Sequence, residues 1–264
     1  MSDEKAPAEN QERHESFEVI EAEHKTGHRH KGIYLLPNLF TTAALFAGFF
    51  AIVSAMDGQF LNAALAIIAA GILDGMDGGV ARLTNTQSKF GAEYDSLSDC
   101  VAFGVAPGLV AYSWALSGMG KIGWAVAFIY VACAALRLAR FNVQAESTDK
   151  RFFIGLPSPS AAGVVAVMVW LGSSRGIDGH DISWLVAFLV TLIGLLMVSS
   201  VPYHSFKEWH IGRVPFRALL GAVVALAIIL MDPPLVLLVV GIIYVGGGLV
   251  MALWRLRSEG RPLF

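Results

Sequence analysis

Charge is what this chain has least of. Asp, Glu, Lys and Arg make up 15% of its 264 residues, and the AVILMFWYC set makes up 55%. A soluble domain carries about 25% charge, so much of this surface faces something other than water. The mean hydropathy of +0.60 agrees. Net charge is −2, which lacks the basic excess of a nucleic-acid-binding protein, and no nucleic-acid partner is expected. Cysteine is nearly absent: Cys100 and Cys133 both lie in apolar runs, at no metal-binding spacing, and read as buried free thiols. Nothing apolar starts near Met1 and no small-residue cleavage site follows the first apolar run, so no signal peptide is expected. There is no internal repeat and no pair of broken helices of the kind many transporters carry.

What the chain does have is long apolar runs behind a polar head. Residues 1–32 are rich in Glu, Lys, His and Gln and read as a mobile cytosolic tail. Its His14, His24, His28 and His30 are read as solvated rather than metal-binding. Residues 33–258 read as one transmembrane catalytic domain, and 259–264 as a short cytosolic tail. A membrane helix needs about 20 apolar residues. Eight candidate spans fit, at approximately 34–56, 60–82, 91–117, 121–142, 158–174, 183–202, 216–231 and 234–254. Asp57-Gly58, Ser117-Gly118, Gly176 and Asp232-Pro233-Pro234 punctuate them. With the N-terminus in the cytosol and strict alternation, only Lys121 and Arg175 of the 19 Lys and Arg residues fall on the far side. That asymmetry is the positive-inside signature. The expected fold is therefore an all-α polytopic helical bundle of about eight transmembrane helices with both termini cytosolic.

The second and third spans carry acids where a membrane tolerates few. They read Asp74-Gly75-Met76-Asp77-Gly78-Gly79-Val80-Ala81-Arg82 and, after eight residues, Gly91-Ala92-Glu93-Tyr94-Asp95-Ser96-Leu97-Ser98-Asp99. Each carboxylate costs about 2.5–3.5 kcal/mol on insertion scales, so four of them need a compensating partner. At about 100° per residue, Asp74, Asp77, Gly78, Ala81 and Arg82 share an arc of about 140°, and Gly91, Asp95 and Asp99 one of about 80°. The short connection lets the two helices pack antiparallel, with pairs of carboxylates facing near the cytosolic surface. Divalent cations relieve the mutual repulsion: oxygen-only ligands suit Mg²⁺ or Mn²⁺, and a two-metal site suits phosphoryl chemistry. Gly78 and Ala81 leave room for a bulky nucleotide, Arg82 can pair with a phosphate, and Gly91 allows close helix contact. Other readings stay open from these residues alone. Gly75 and Gly79 can be packing glycines, and the acids can line the path of an ion carrier.

The whole spacing, D-x2-D-G-x2-A-R-x8-G-x3-D-x3-D from Asp74 through Asp99, resembles the signature of the CDP-alcohol phosphotransferase family at every specified position. The resemblance implies that Asp74, Asp77 and Asp95 bind two divalent cations. It implies that Asp99 is the catalytic base and a further metal ligand. It also implies that Asp74, Gly78, Ala81, Arg82 and Gly91 form the CDP site. Aspartate-rich membrane prenyltransferases usually carry adjacent aspartates, and this chain has none.

A narrower resemblance covers about residues 33–215. Ile33-Tyr34-Leu35-Leu36-Pro37-Asn38, Ala135-Leu136-Arg137-Leu138-Ala139-Arg140-Phe141-Asn142, Phe152-Phe153-Ile154-Gly155-Leu156-Pro157-Ser158-Pro159 and Pro202-Tyr203-His204-Ser205-Phe206-Lys207 look like the membrane-embedded phosphatidylserine synthases. That implies transfer of a phosphatidyl group from CDP-diacylglycerol to L-serine by a single in-line displacement. Glycerol 3-phosphate and inositol phosphate are the alternative acceptors. Arg137 and Arg140, three apart and so on one helix face, are candidates for the acceptor carboxylate or the diphosphate. Asn142, Ser158 and Lys207 are further candidates. The bland reading of both arginines is as positive-inside anchors. The expected setting is a prokaryotic inner membrane with a cytosolic active site, and the family is expected to form homodimers.

Overall fold

A computed structural model describes residues 35–84, 88–145, 153–199, 202–203 and 216–259. The expected N-terminal tail and residues 260–264 of the C-terminal one lie outside them, while Glu259 ends the last helix. The described residues are helical almost throughout. Helix α1 is Leu35–Met56, α2 is Phe60–Thr84 and α3 is Lys89–Asp99. The third run continues from α3 through a π-helical stretch at Cys100–Val105, α4 at Ala106–Ala111, a second π-helical stretch at Tyr112–Leu116 and a 3₁₀ turn at Ser117–Met119. Then come α5 (Lys121–Ala145), β1 (Phe153–Ile154), α6 (Ser158–Ser174), α7 (Ser183–Val198), β2 (Pro202–Tyr203), α8 (Phe216–Met231) and α9 (Pro233–Glu259).

The breaker signals act as local physics dictates. At Asp57-Gly58 the Gly58 amide bonds to Ala55 O and the Gln59 amide to Ser54 O. At Gly176 the pattern recurs, with Gly176 N to Ser173 O and Ile177 N to Gly172 O. Both are Schellman closures, which place a residue in the left-handed region just past the helix. Gly58 and Gly176 have φ of 72° and 67°, a conformation glycine adopts without a Cβ penalty. Helix α9 opens on Pro233, and Asp232 Oδ1 accepts from Leu235 N, the arrangement of an N-cap followed by proline at the first helical position.

Among the described residues, five spans are long and apolar enough to cross a membrane: Pro37–Met56, Phe60–Gly79, Phe90–Met119, Lys121–Val143 and Gly179–Val198. The protein is an integral membrane protein. The eight expected segments all appear as helices, and three of them differ from independent full-length spans. Helix α6 has 17 residues, shorter than the bilayer core requires at 1.5 Å per residue. Helix α8 has 16 residues and meets α9 at a bend of 119° at Asp232. The apolar side chains on the outside, among them Phe46, Phe49, Phe128, Trp184 and Phe188, suit a lipid-facing surface.

Small residues let the helices approach. The face of α1 against α2 is built from Ala44, Ala47, Ala51 and Ala55, met by Ala63, Ala64, Ile67 and Ala70, as membrane helix pairs prefer. A Cβ on Gly48 would sit 2.7 Å from Ala102 Cα, so α1 presses directly on the backbone of the first π-helical stretch. Pro107 lies one turn beyond that stretch and has no N–H for Phe103 O, four residues back. Tyr130 Oη of α5, fully buried, donates to Phe103 O at 3.2 Å. The irregular backbone of the third span is thus satisfied by a neighbouring helix.

The only extended pairing among the described residues is β1 with β2, antiparallel, Phe153 opposite Tyr203 and Ile154 opposite Pro202. Leu156 N bonds to Leu196 O at 3.0 Å. Gly155, at φ 91°, packs on Met197 O where no Cβ would fit. The chain before α6 is therefore seated on the end of α7, and this seat places Ser158.

Replacing Gly48 with Ala is expected to destabilise the protein by about 1–3 kcal/mol, the range for overpacking. Thermal melts of the purified protein in detergent check this; an unchanged midpoint would mean that α1 is free to move away from Ala102.

Candidate active site

The acids converge as their helical phase requires. Asp74 on α2 and Asp95 and Asp99 on α3 each offer a carboxylate oxygen within 4.8 Å of the others. All three are partly buried, and Asp95 Oδ1 has no hydrogen-bond partner among the described residues. A buried, unpartnered carboxylate oxygen beside two more carboxylates lacks the compensation that a low-dielectric site demands. A hard divalent cation with oxygen ligands supplies it, so these residues fit such an ion.

Asp77 is the fourth acid and stands apart from that trio. It is the most enclosed of the four, 6% exposed. Thr41 Oγ1 of α1 donates to its Oδ2 at 2.8 Å, and Asp77 remains close enough to act electrostatically on the other three.

Helix α1 braces both acid-bearing helices. Thr41 reaches α2 through Asp77, and its carbonyl accepts from Ser98 Oγ of α3 at 3.1 Å. Thr42 Oγ1 donates to Asn38 O at 2.7 Å. Its one proton is then committed, so Tyr94 Oη of α3 donates to Thr42 Oγ1 at 3.0 Å. Ser88 caps α3, accepting from Gly91 N at 3.0 Å. Motif reading missed Thr41, Thr42, Tyr94 and Ser98. Their one sequence signal is hydroxyl groups at helical spacing inside otherwise apolar or acidic spans.

The small residues divide. A Cβ on Gly75, Gly78 or Gly79 would meet nothing within 4 Å. Among the described residues these glycines therefore border open space rather than a packed neighbour. Gly91 differs: its Cβ would lie 3.1 Å from Ser88 Oγ and 3.4 Å from Asn38 Oδ1, which fits the close helix contact read from the sequence. Ala81 and Arg82 belong to the last turn of α2, and their side chains lie outside the described residues, as does all of Lys207.

The candidate acceptor residues also separate. Arg137, 9% exposed, donates through Nη1 to the fully buried Ser158 Oγ at 2.7 Å. Its Nε has no partner among the described residues, and Asp99 acts on the guanidinium electrostatically. Arg140 instead donates through Nη1 to Val198 O at 3.3 Å. That places a cation at the C-terminus of α7, where the helix dipole and orphan carbonyls favour it. Asn142 Nδ2 donates to Ser96 Oγ at 2.9 Å, and Ser96 Oγ donates to Asn142 Oδ1 at 3.1 Å, joining α5 to α3 between Asp95 and Asp99 in sequence. The structure brings Arg137 and Ser158 together and gives Arg140 and Asn142 separate partners.

Apolar helices that hold clustered carboxylates, with glycines bordering open space, suit a membrane protein that binds a divalent cation. The model of the CDP-alcohol phosphatidyltransferase family matches residues 34–196, and the chain belongs to that family. It is similar to the CDP-diacylglycerol–serine O-phosphatidyltransferase of Helicobacter pylori (strain ATCC 700392 / 26695), 46% identical over 182 residues, covering 68% of this chain and 76% of the relative. The protein of the same name from Mycobacterium tuberculosis (strain ATCC 25618 / H37Rv) is 38% identical over 231 residues, with 83% and 78% covered. An archaetidylserine synthase of Methanothermobacter thermautotrophicus is 35% identical over 170 residues, with 64% and 69% covered.

Two outcomes test the site. A cation at about 100 times its dissociation constant stabilises a fold by about 2.7 kcal/mol, so Mn²⁺ is expected to raise the melting temperature and Asp95→Asn to remove most of that rise. An undiminished rise in the variant would locate the cation elsewhere. Thr41→Val leaves Asp77 without its side-chain donor and is expected to cost about 1–3 kcal/mol, read in the same melts without metal.

Proposed function

We propose that this protein transfers the phosphatidyl group of CDP-diacylglycerol to the hydroxyl of L-serine, releasing CMP and phosphatidylserine. The observation that carries this reading is the convergence of Asp74, Asp95 and Asp99, with an unpartnered Asp95 oxygen, inside a chain of the CDP-alcohol phosphatidyltransferase family. Serine is the acceptor named for the relatives in Helicobacter pylori and Mycobacterium tuberculosis.

Asp74, Asp77, Asp95 and Asp99 would hold two divalent cations, Mg²⁺ or Mn²⁺. When bound, such ions neutralise diphosphate charge and stabilise the departing phosphate. The chain's own residues do the rest. Asp99 takes the proton from the serine hydroxyl as its oxygen attacks phosphorus and the bond to CMP breaks. Gly78 and Gly75 leave space beside Asp74 and Asp77 for the CDP head, and Arg82 pairs with its phosphate. Arg137, held by Ser158, meets the serine carboxylate through Nε, which has no partner among the described residues. The paired positions of Arg140 and Asn142 favour roles in holding α7 and α3. No covalent enzyme intermediate is needed, since one displacement transfers the group.

The same proposal includes both termini in the cytosol, an active site at the cytosolic face of a prokaryotic inner membrane, and a homodimer. The Lys and Arg asymmetry supports the orientation.

Detergent-purified protein given CDP-diacylglycerol and Mn²⁺ or Mg²⁺ is expected to release CMP with serine and to stay silent with glycerol 3-phosphate or inositol phosphate. Chelation is expected to abolish release. Asp99→Asn is expected to lower turnover by at least about 100-fold, the lower range for a general base, while retaining lipid binding. Release with another acceptor alone would refute the serine assignment, and near-full turnover by Asp99→Asn would refute its role as base.

A further inference from the structure

The family match ends at residue 196, yet the last helix, α9, reaches the surroundings of Arg137. It packs on α6. A Cβ on Gly241 would lie 2.8 Å from Val164 Cγ2, so the backbone of α9 packs on the Val164 side chain there. Asp232, just before α9, pairs with Arg175, just after α6, and this register sets the half-buried Tyr244, three residues beyond Gly241, opposite Ser160. Val245 is buried in the core. Positions 241, 244, 245 and 248 recur at the spacing of one helical face, and Gly248 is buried as well. With Asp232 at Arg175 and Gly241 at Val164, α9 runs antiparallel to α6, towards the end where α6 begins.

That end of α6 is polar in a way the apolar bundle does not require. Ser158 and Ser160 occupy its first turn, and Pro157 provides no side-chain cap. The amides of a first helical turn have no carbonyl partner within the helix. Ser158 holds Arg137 Nη1, and Tyr244 of α9 lies within electrostatic reach of Arg137. The start of α6 and α9 thus both border Arg137. Its buried Nε has no partner among the described residues. A guanidinium with Nη1 paired and Nε still to be satisfied, beside an uncapped helix N-terminus, is complementary to a carboxylate.

We propose that Tyr244, through a hydrogen bond to Ser160, is a positioning residue of the acceptor pocket. It holds the start of α6 and the Arg137 guanidinium in the orientation that receives the acceptor's carboxylate. The proposal rests on the reading of Arg137 as the acceptor's carboxylate partner. Helix α9 then belongs to the catalytic unit as the wall of the acceptor site, and the pocket's specificity depends on a helix beyond the matched family region.

The test is CMP release as a function of serine concentration for Tyr244→Phe, Ser160→Ala and Arg137→Lys, each also titrated with CDP-diacylglycerol. Tyr244→Phe is expected to raise KM for serine about three- to tenfold, the range of one hydrogen bond, with KM for CDP-diacylglycerol unmoved. Ser160→Ala removes the same bond from the other side and is expected to match it. The double variant Tyr244→Phe with Ser160→Ala is expected to be no worse than either single one. A helix that merely supports the fold would shift both KM values or neither. Serine KM unchanged in both Tyr244→Phe and Ser160→Ala, while Arg137→Lys raises it, would overturn the role of Tyr244 alone. Serine KM unchanged in Arg137→Lys as well would overturn the carboxylate reading on which it rests.

Discussion

Everything in this protein is arranged around carboxylates that an apolar helix pair must carry. An unpaired acid in the hydrocarbon region is costly, and four on adjacent helices repel one another as well. The chain meets this in two ways. Asp77 accepts the Thr41 hydroxyl through one of its oxygens at 2.8 Å. Asp74, Asp95 and Asp99 are gathered into one group in which Asp95 Oδ1 has no partner among the described residues. The first arrangement stabilises the protein, and the second leaves a demand that a bound cation meets.

The gathered acids impose a tight scaffold. Helix α1 contributes no acid, yet it fixes both helices that do, through Thr41 to Asp77 and Ser98 and through Thr42 to Tyr94. It can do so because Gly48 brings its backbone against Ala102. The third span cannot be a regular helix under these constraints. Below Asp99 it widens into a π-helical stretch, and Tyr130 satisfies Phe103 O where Pro107 offers no donor. Such π-helical insertions are frequent at functional sites, and this one follows directly on the acid read as the base. The acceptor side depends on a second scaffold, the seat of residues 153–157 on the end of α7, which fixes the start of α6 and with it the Ser158 partner of Arg137.

Much of this was legible in the sequence for identifiable reasons. Helical phase alone put Asp74 and Asp77 on one arc and Asp95 and Asp99 on another, because about 100° per residue is a property of the backbone. Breakers read correctly at Asp57-Gly58 and Gly176, since the Schellman closure there is local chemistry. The helical segments were recovered at all eight places because apolar length is a property of composition. Their standing as separate full spans was not: the 119° bend at Asp232 and the 17 residues of α6 are matters of packing and length that an apolar run does not reveal.

What the sequence by itself determined is the set of local facts: which residues are helical, which faces are acidic, where turns fall, and a motif whose spacing marks the family. The tertiary structure alone decided the partners. Arg137 and Arg140 are indistinguishable as text, three apart on one helix. The fold gives the first to Ser158 beside Asp99, and the second to the carbonyl of Val198. Thr41, Ser160 and Tyr244 carry no signature, since each is an isolated polar residue whose meaning comes from what lies opposite. Helix period is set by bonds four residues apart. Partnership is set by contacts between residues dozens of positions apart, and only the packed bundle brings those together.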